Sequence, residues 1–281
     1  MEKEVTSRLT TLGHPQRLAI FRLLMRRYPD RVAAGELAQA LGLKPSTLSA
    51  YLSALLQAGL ITQDRAGTSL RYAPDMTAVR QTFDFLLNDC CRGRPEICAP
   101  LSLSSAQGSQ IMDDRTYNVL FICTGNSARS IFAESILRKL GGDRFNAFSA
   151  GTHPYSELNP FAVQVLQDKG HDTSLLRAKN QIEFQGSDAP QLDFVFTVCD
   201  QAANEECPAW DGQPVSAHWG MPDPVASDGT EAQKSLAFQQ TYGTLLNRIS
   251  AFLALPLDAL DRLSLQRALD EIARDEKEVS A

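Results

Sequence analysis

Residues 118–130 read NVLFICTGNSARS. An uninterrupted apolar run ends at Cys123, five residues follow, and Arg129 and Ser130 open a segment with helical spacing. A run of that kind suits a strand buried on both faces of a parallel sheet. Strand, loop and helix start together predict an anion cradle, with successive backbone N–H groups pointing inward and the helix dipole adding positive potential. That field, with Arg129 beside it, is expected to lower the pKa of Cys123 and supply a thiolate near neutral pH. Arg129 can also grip two oxyanion oxygens at once. Thr124, Gly125, Asn126, Ser127, Ala128 and Ser130 complete the expected loop; Asn126, Ser127 and Ser130 can hold its shape or hydrogen-bond the sulfur.

The surrounding texture agrees with this reading. SIFAESILRKL reads as a helix, FNAFSAG as a strand, PFAVQVLQDKG as a helix and DFVFTVCD as a further apolar strand. QQTYGTLLNRISAFLALP is a long helix, and the tail LDALDRLSLQRALDEIARDEKEVSA is expected to form one more. Strands alternating with helices predict an α/β domain with a parallel, doubly wound sheet over residues 116–281. Ligands of such folds sit at the carboxyl ends of strands, where both Cys123 and Cys199 fall.

The first third is of another kind. Residues 1–92 carry 12 Lys and Arg against 8 Asp and Glu, whereas the rest carries 15 against 25, so nucleic-acid contact is expected of the first part only. VTSRLTTLGHPQRLAIFRLLMRRY has helical periodicity broken at Gly13–Pro15; GELAQALGL and KPSTLSAYLSALLQAGL read as two further helices. ITQDRAGTSLRYAP reads as two strands around Ala66-Gly67-Thr68, and residues 76–91 look helical again. This order predicts an α+β winged helix-turn-helix over residues 1–92. Residues 93–115, rich in Pro, Gly, Ser and Gln, read as a linker. No stretch approaches the roughly 18–20 apolar residues that span a bilayer, and the N-terminus lacks a signal-peptide core. A cytoplasmic protein with no membrane association is therefore expected.

NVLFICTGNSARS resembles the phosphate-binding loop of the low-molecular-weight protein tyrosine phosphatase fold, and particularly its arsenate reductase branch, over roughly residues 116–255. The resemblance implies that Cys123 is the nucleophile and that Arg129 binds the oxyanion. Many members have a cysteine just before this arginine; here the position is Ala128, so no disulfide can form inside the loop. FTVCDQAANEECPAW matches the relay cysteines of the thioredoxin-linked reductases and implies that Cys199 and Cys207 pass electrons onward by thiol–disulfide exchange. In SAHWGMPDPVA, Asp223 is implied as the acid that protonates the leaving oxygen. Val225 and Ala226 follow the Asp-Pro where phosphotyrosine phosphatases of this fold tend to place aromatics, which favours a small inorganic substrate. His218 and Trp219 also match the reductase branch and are expected to support the loop. Some reductases of this type bind potassium through an asparagine and a helix glutamate, for which Asn126 and Glu134 are the matching residues. No tightly bound cofactor is implied; an external thiol reductant is, either thioredoxin or glutaredoxin with glutathione. The rival from the same fold is a phosphotyrosine phosphatase, and a further rival is an oxyanion-sensing regulator without catalysis.

LGHPQRLAIFRLL, followed by ELAQALGLKPSTLSAYLSALLQAGLI, resembles the ArsR/SmtB-type metalloregulators over residues 5–91. The resemblance implies a homodimer on palindromic operator DNA. Ser46, Thr47, Ser49, Ala50 and Tyr51 fall on the exposed start of the recognition helix, with Tyr51 where the family often has histidine. Arg65 and Arg71 flank the wing and suit phosphate contact. NDCCRGRPEIC places Cys90 and Cys91 before a Gly/Pro turn and Cys98 after it. Three thiolates suit three-coordinate arsenite or antimonite better than zinc, which usually takes four ligands. The whole chain is thus expected to be an arsenite-responsive repressor fused to a thiol-dependent arsenate reductase.

Overall fold

The computed structural model describes residues 1–92, 115–186, 188–205 and 210–274. Cys98, Cys207 and almost all of the expected linker lie outside the described residues. The chain divides into two units, Met1–Gln110 and Ile111–Ala281, each taken here by itself.

In the first unit the order is α1 (Glu2–Leu12), α2 (Pro15–Arg26), β1 (Val32–Ala33), α3 (Ala34–Ala40), α4 (Pro45–Gln57), β2 (Ile61–Ala66), β3 (Ser69–Pro74) and α5 (Met76–Phe85). Proline opens both α2 and α4 at a position whose N–H has no helical partner, so each start is fixed locally. Ile20, Leu23 and Leu24 of α2 meet Leu37 of α3 and Leu48, Leu52 and Leu55 of α4 in one core. β2 and β3 pair antiparallel through Arg65 opposite Leu70 and Ala66 opposite Ser69, and β1 adds to β3. Gly67, at φ +59°, makes the tight wing turn possible. Arg8 ties α1 to the rest by donating to the carbonyls of Ala58 and Ala78. α5 passes into a single π-helical turn, Leu86–Cys90, whose Cys90 is exposed, and Cys91 after it is half-buried.

In the second unit a four-stranded, all-parallel sheet has the order β5-β4-β6-β7, with β4 Tyr117–Cys123, β5 Phe145–Gly151, β6 Phe194–Thr197 and β7 Val215–His218. Leaving β4, the chain first builds β5 on one side and later β6 on the other. The order therefore reverses at β4, and the crevice of such a sheet opens at its carboxyl end, where Cys123 lies. The intervening helices are α6 (Arg129–Gly141), α7 (Pro160–Asp168), the short α8 (Asp200–Asn204), α9 (Glu231–Leu253) and α10 (Arg262–Ile272). α6 lies against β4 and β5, α9 against α6 and α7, and α10 against β7.

An aromatic stack holds the sheet to its covering helices. Phe196 lies 4.1 Å from Trp219, ring centre to ring centre, and both pack on Phe252 of α9. Trp219 is wholly buried, and its indole N–H donates to the Leu269 carbonyl of α10 at 3.2 Å, so the last helix is pinned behind the loop that follows β7. No helix among the described residues is long and apolar enough to cross a membrane.

Candidate active site and DNA-facing surface

The segment after β5 dictates the path of the loop after β4. The N–H groups of Thr152, His153, Tyr155 and Asn159 donate to the carbonyls of Cys123, Thr124, Gly125 and Ser127. Those four carbonyls therefore face outward, and in planar trans peptides the N–H groups that follow them face the other way. Asn126 bears this out, because its N–H points at the Cys123 sulfur, 3.1 Å away. α6 then starts at Arg129 with no side-chain cap, which leaves its first N–H groups facing the same hollow.

Asn126 is the peg of this loop. Its φ of +44° is one that asparagine tolerates better than most residues. The amide spends both donors and its acceptor within the protein. Nδ2 donates to Ser130 Oγ at 2.8 Å and Ser149 Oγ at 2.9 Å, and Oδ1 accepts from the Lys179 N–H at 2.7 Å. Ser130 Oγ, already accepting from Asn126, lies 2.9 Å from Cys123 Sγ. When the sulfur is a thiolate, the Ser130 hydroxyl is oriented to donate to it.

The expected depression of the Cys123 pKa is not found in this arrangement. Burial, the largest influence, pushes the thiol up, and the nearby Cys199 adds to that. The Ser130 hydrogen bond and Arg129 pull the other way without prevailing. Part of the reason lies in Arg129, whose Nη2 is 2.8 Å from Asp223 Oδ2. The guanidinium faces a carboxylate instead of acting on the sulfur alone. Asp223 also caps the short helical turn after it by accepting from the Val225 N–H at 3.1 Å. Arg129 and Asp223, distant in sequence, are thus brought together.

Cys199 stands at the end of β6, buried, with its sulfur 3.4 Å from the Thr124 hydroxyl. Its sulfur also accepts from the Ala202 N–H at 3.4 Å. The two buried thiols, Cys123 and Cys199, therefore flank one residue of the loop. Cys207 lies outside the described residues. His218 bridges two elements. Nδ1 is 2.8 Å from Thr197 Oγ1 and Nε2 3.2 Å from Asp200 Oδ1, which joins β7 to the residue after Cys199. Trp219 is held at its carbonyl by Arg248 Nη1, 2.8 Å away.

The matching residues do not fit a potassium ion. Glu134 is buried, and its Oε2 already accepts from Ser149 Oγ at 2.5 Å and from Lys179 Nζ at 2.9 Å. Its Oε1 accepts from Arg138 Nη2 at 2.5 Å. A lysine ammonium holds the place beside Glu134 where an alkali cation would need carboxylate oxygen. Sequence reading missed Lys179 and Ser149, because neither belongs to a motif and only the fold brings them to the loop. It also missed Tyr155, whose largely exposed ring lies against Gly125; a Cβ on that glycine would come within 2.5 Å of the ring.

In the first unit Ser46, Ser49 and Ala50 are exposed on α4, and Thr47 and Tyr51 are half-buried. Tyr51 tilts over His14 at 4.9 Å between ring centres, so part of its ring is committed to packing. Arg65 and Arg71 are exposed on the two wing strands. Cys90 and Cys91 are described, but their convergence with Cys98 falls outside the described residues.

Residues 118–265 match the family model described as low molecular weight phosphotyrosine protein phosphatase, and residues 12–64 match a helix-turn-helix domain. An arsenate reductase of Bacillus licheniformis is 36% identical over 140 residues, which is 48% of this chain and 93% of the relative. A solved arsenate reductase in the phosphate-binding state is 24% identical with a TM-score of 0.42, covering 50% of this chain and 98% of that one. A homodimeric winged helix-turn-helix domain from Mycobacterium bovis, a possible ArsR-family regulator, is 26% identical with a TM-score of 0.27, covering 34% of this chain and 84% of that one.

Proposed function

Because the chain belongs to the low molecular weight phosphotyrosine protein phosphatase family, as an arsenate reductase joined to a helix-turn-helix domain, we propose that Cys123 takes up arsenate and that Cys199 and Cys207 carry away the oxidising equivalents. The observation that supports this most is the placement of a second buried thiol, Cys199, across Thr124 from the loop thiol. A phosphatase has no chemical use for it.

The Cys123 thiolate attacks arsenic, an As–O bond breaks, and the proton held by Asp223 leaves with that oxygen as water. Arg129 and the inward N–H groups carry the oxyanion charge as the S–As bond forms. The Cys199 thiolate then attacks Cys123 Sγ. An S–S bond forms, the S–As bond breaks, and its electron pair stays on arsenic, which leaves as arsenite. Cys207 attacks Cys199 and frees Cys123, and an external dithiol of the thioredoxin or glutaredoxin kind reduces the Cys199–Cys207 disulfide. Arsenate turnover by wild type and by single serine variants at these three cysteines tests the scheme; arsenite formed at the wild-type rate by Cys199→Ser would contradict it.

The first unit is read as an operator-binding repressor, a homodimer that reaches base edges with α4 and phosphates with Arg65 and Arg71. Cys90, Cys91 and Cys98 are its arsenite or antimonite ligands, so the product of the second unit relieves repression by the first. Release of labelled operator DNA by arsenite, lost in Cys90→Ser and Cys91→Ser, tests this part.

A second reading, aryl-phosphate hydrolysis, is favoured by one observation: the exposed Tyr155 ring offers a flat apolar face beside Gly125 of the loop. Aryl-phosphate turnover that survives Cys199→Ser, with no arsenite formed, would select it.

A further inference from the structure

Behind the oxyanion loop lies a buried charged group that the chemistry above does not use. Lys179 and Glu134 pair at 2.9 Å, with side chains only 9% and 3% exposed. Charges so deeply buried are costly unless each is paired and hydrogen-bonded. Both conditions are met. Glu134 has Lys179, Arg138 and Ser149 as donors, and Lys179 Nζ also donates to the Arg177 carbonyl at 3.2 Å.

The same lysine reaches the loop through its backbone. Its N–H donates to Asn126 Oδ1 at 2.7 Å, and its carbonyl accepts from the Gly151 N–H at 2.8 Å. From there the chain of donors runs in one direction. Lys179 N–H fixes Asn126; Asn126 donates to Ser130; Ser130 is thereby turned to donate to the Cys123 sulfur. A second branch runs from Asn126 to Ser149 and from Ser149 to Glu134, closing the circuit on the lysine ammonium.

We infer that Lys179 is a built-in cation for the oxyanion loop, a positioning residue that takes the place of an alkali ion and makes the loop indifferent to potassium. A positive charge held there by the chain excludes a second one at the same carboxylate. The ammonium is compact, carries three donors and is delivered on a flexible stem, which suits a site between a carboxylate and a carbonyl. The inference rests on reading residues 123–130 as an oxyanion cradle, but not on arsenate turnover.

The test uses inorganic phosphate as the probe and reads binding by calorimetry and unfolding by Tm. Wild type, Lys179→Met and Lys179→Arg are compared in tetramethylammonium, sodium and potassium chloride at equal ionic strength. Wild type is expected to give the same Tm and the same phosphate Kd in all three salts. Lys179→Met is expected to bind phosphate about tenfold more weakly in tetramethylammonium, as a misplaced loop should, and to regain affinity and Tm in potassium. Lys179→Arg, which keeps the charge, is expected to stay closer to wild type. Potassium-specific gains in wild-type Tm or phosphate affinity would overturn the inference, as would wild-type phosphate binding by Lys179→Met in tetramethylammonium. If Lys179→Met does not fold, the wild-type salt comparison decides alone. Absence of phosphate binding by wild type in every salt would count against the oxyanion reading itself, and the melting data would still decide the cation question.

Discussion

Arg129 Nη2 and Asp223 Oδ2 lie 2.8 Å apart, so the group that should hold the oxyanion and the group that should deliver the proton hold each other. On the proposed mechanism an arriving oxyanion would compete with Asp223 for the guanidinium and, by winning, would release the carboxyl group to take up and pass on a proton. The pair would then be a placeholder for the oxyanion.

The first prediction follows from that exchange. Asp223→Asn removes the competing charge while keeping the cap to Val225. Phosphate should bind several-fold more tightly, whereas kcat for arsenate should fall roughly a hundredfold or more, as loss of a general acid usually costs. Calorimetry and steady-state kinetics read the two effects separately. A parallel loss of binding and turnover would mean that Asp223 only shapes the loop.

A second prediction concerns thiol reactivity. Burial raises the Cys123 pKa above its ordinary value, Cys199 raises it further, and Ser130 lowers it. Cys199→Ser should therefore shift the pH profile of Cys123 alkylation to lower pH, and Ser130→Ala should shift it to higher pH. The folded state keeps its proton longer than the unfolded chain does, so this group costs stability as the pH rises past the ordinary thiol value of 9.0. Bound oxyanion, which brings its own charge, should change the profile again.

Two glycines at the loop should behave differently. A Cβ on Gly151 would come within 2.6 Å of the Thr124 carbonyl oxygen, a backbone atom that cannot swing away. Gly151→Ala should lose phosphate binding and destabilise the domain by about 1–3 kcal/mol, the usual range for overpacking. The three atoms nearest a Cβ on Gly125 all belong to the exposed Tyr155 ring, which can turn aside. Gly125→Ala should keep more of its phosphate affinity, and Tyr155→Ala should restore what is lost. Tm and phosphate titrations of the three variants decide.

For the first unit, Arg65→Ala and Arg71→Ala should weaken operator binding across all sequences and each reduce the salt slope by about 1, the signature of a lost phosphate contact. Substitutions at Ser46 or Ser49 should instead change which sequences are preferred. Gel-shift titrations over a salt series distinguish the two. Equal effects on cognate and random DNA from the serine variants would remove α4 from base reading.

Much of this was legible in the sequence. Winged-helix elements and the strands around Cys123 stand out because apolar periodicity and proline starts act locally. Strand β7, Val215–His218, was not legible, since the alternation in VSAH spans only four residues. The long helix α9 begins at Glu231, well before the apolar stretch that marked it, because Thr230 and Gln233 form a capping box. At the site, Cys123, Arg129, Cys199 and Asp223 carry motifs. Lys179, Ser149 and Tyr155 do not; Ser149 and Tyr155 reach the loop because β5 lies beside β4, and Lys179 because its segment pairs with Gly151. The raised thiol pKa was missed for the same reason. A local loop pattern says nothing of how deeply the fold buries its sulfur.

The most direct measurement is single-turnover arsenate reduction, without added reductant, by wild type and by Cys123→Ser, Cys199→Ser and Cys207→Ser, with arsenite quantified and disulfides mapped by mass spectrometry. Wild type should release one arsenite per chain and end with a Cys199–Cys207 disulfide. Cys207→Ser should release one arsenite and stop at Cys123–Cys199, and the other two variants should release none. Arsenite release by Cys123→Ser or Cys199→Ser at the wild-type level would contradict the mechanism.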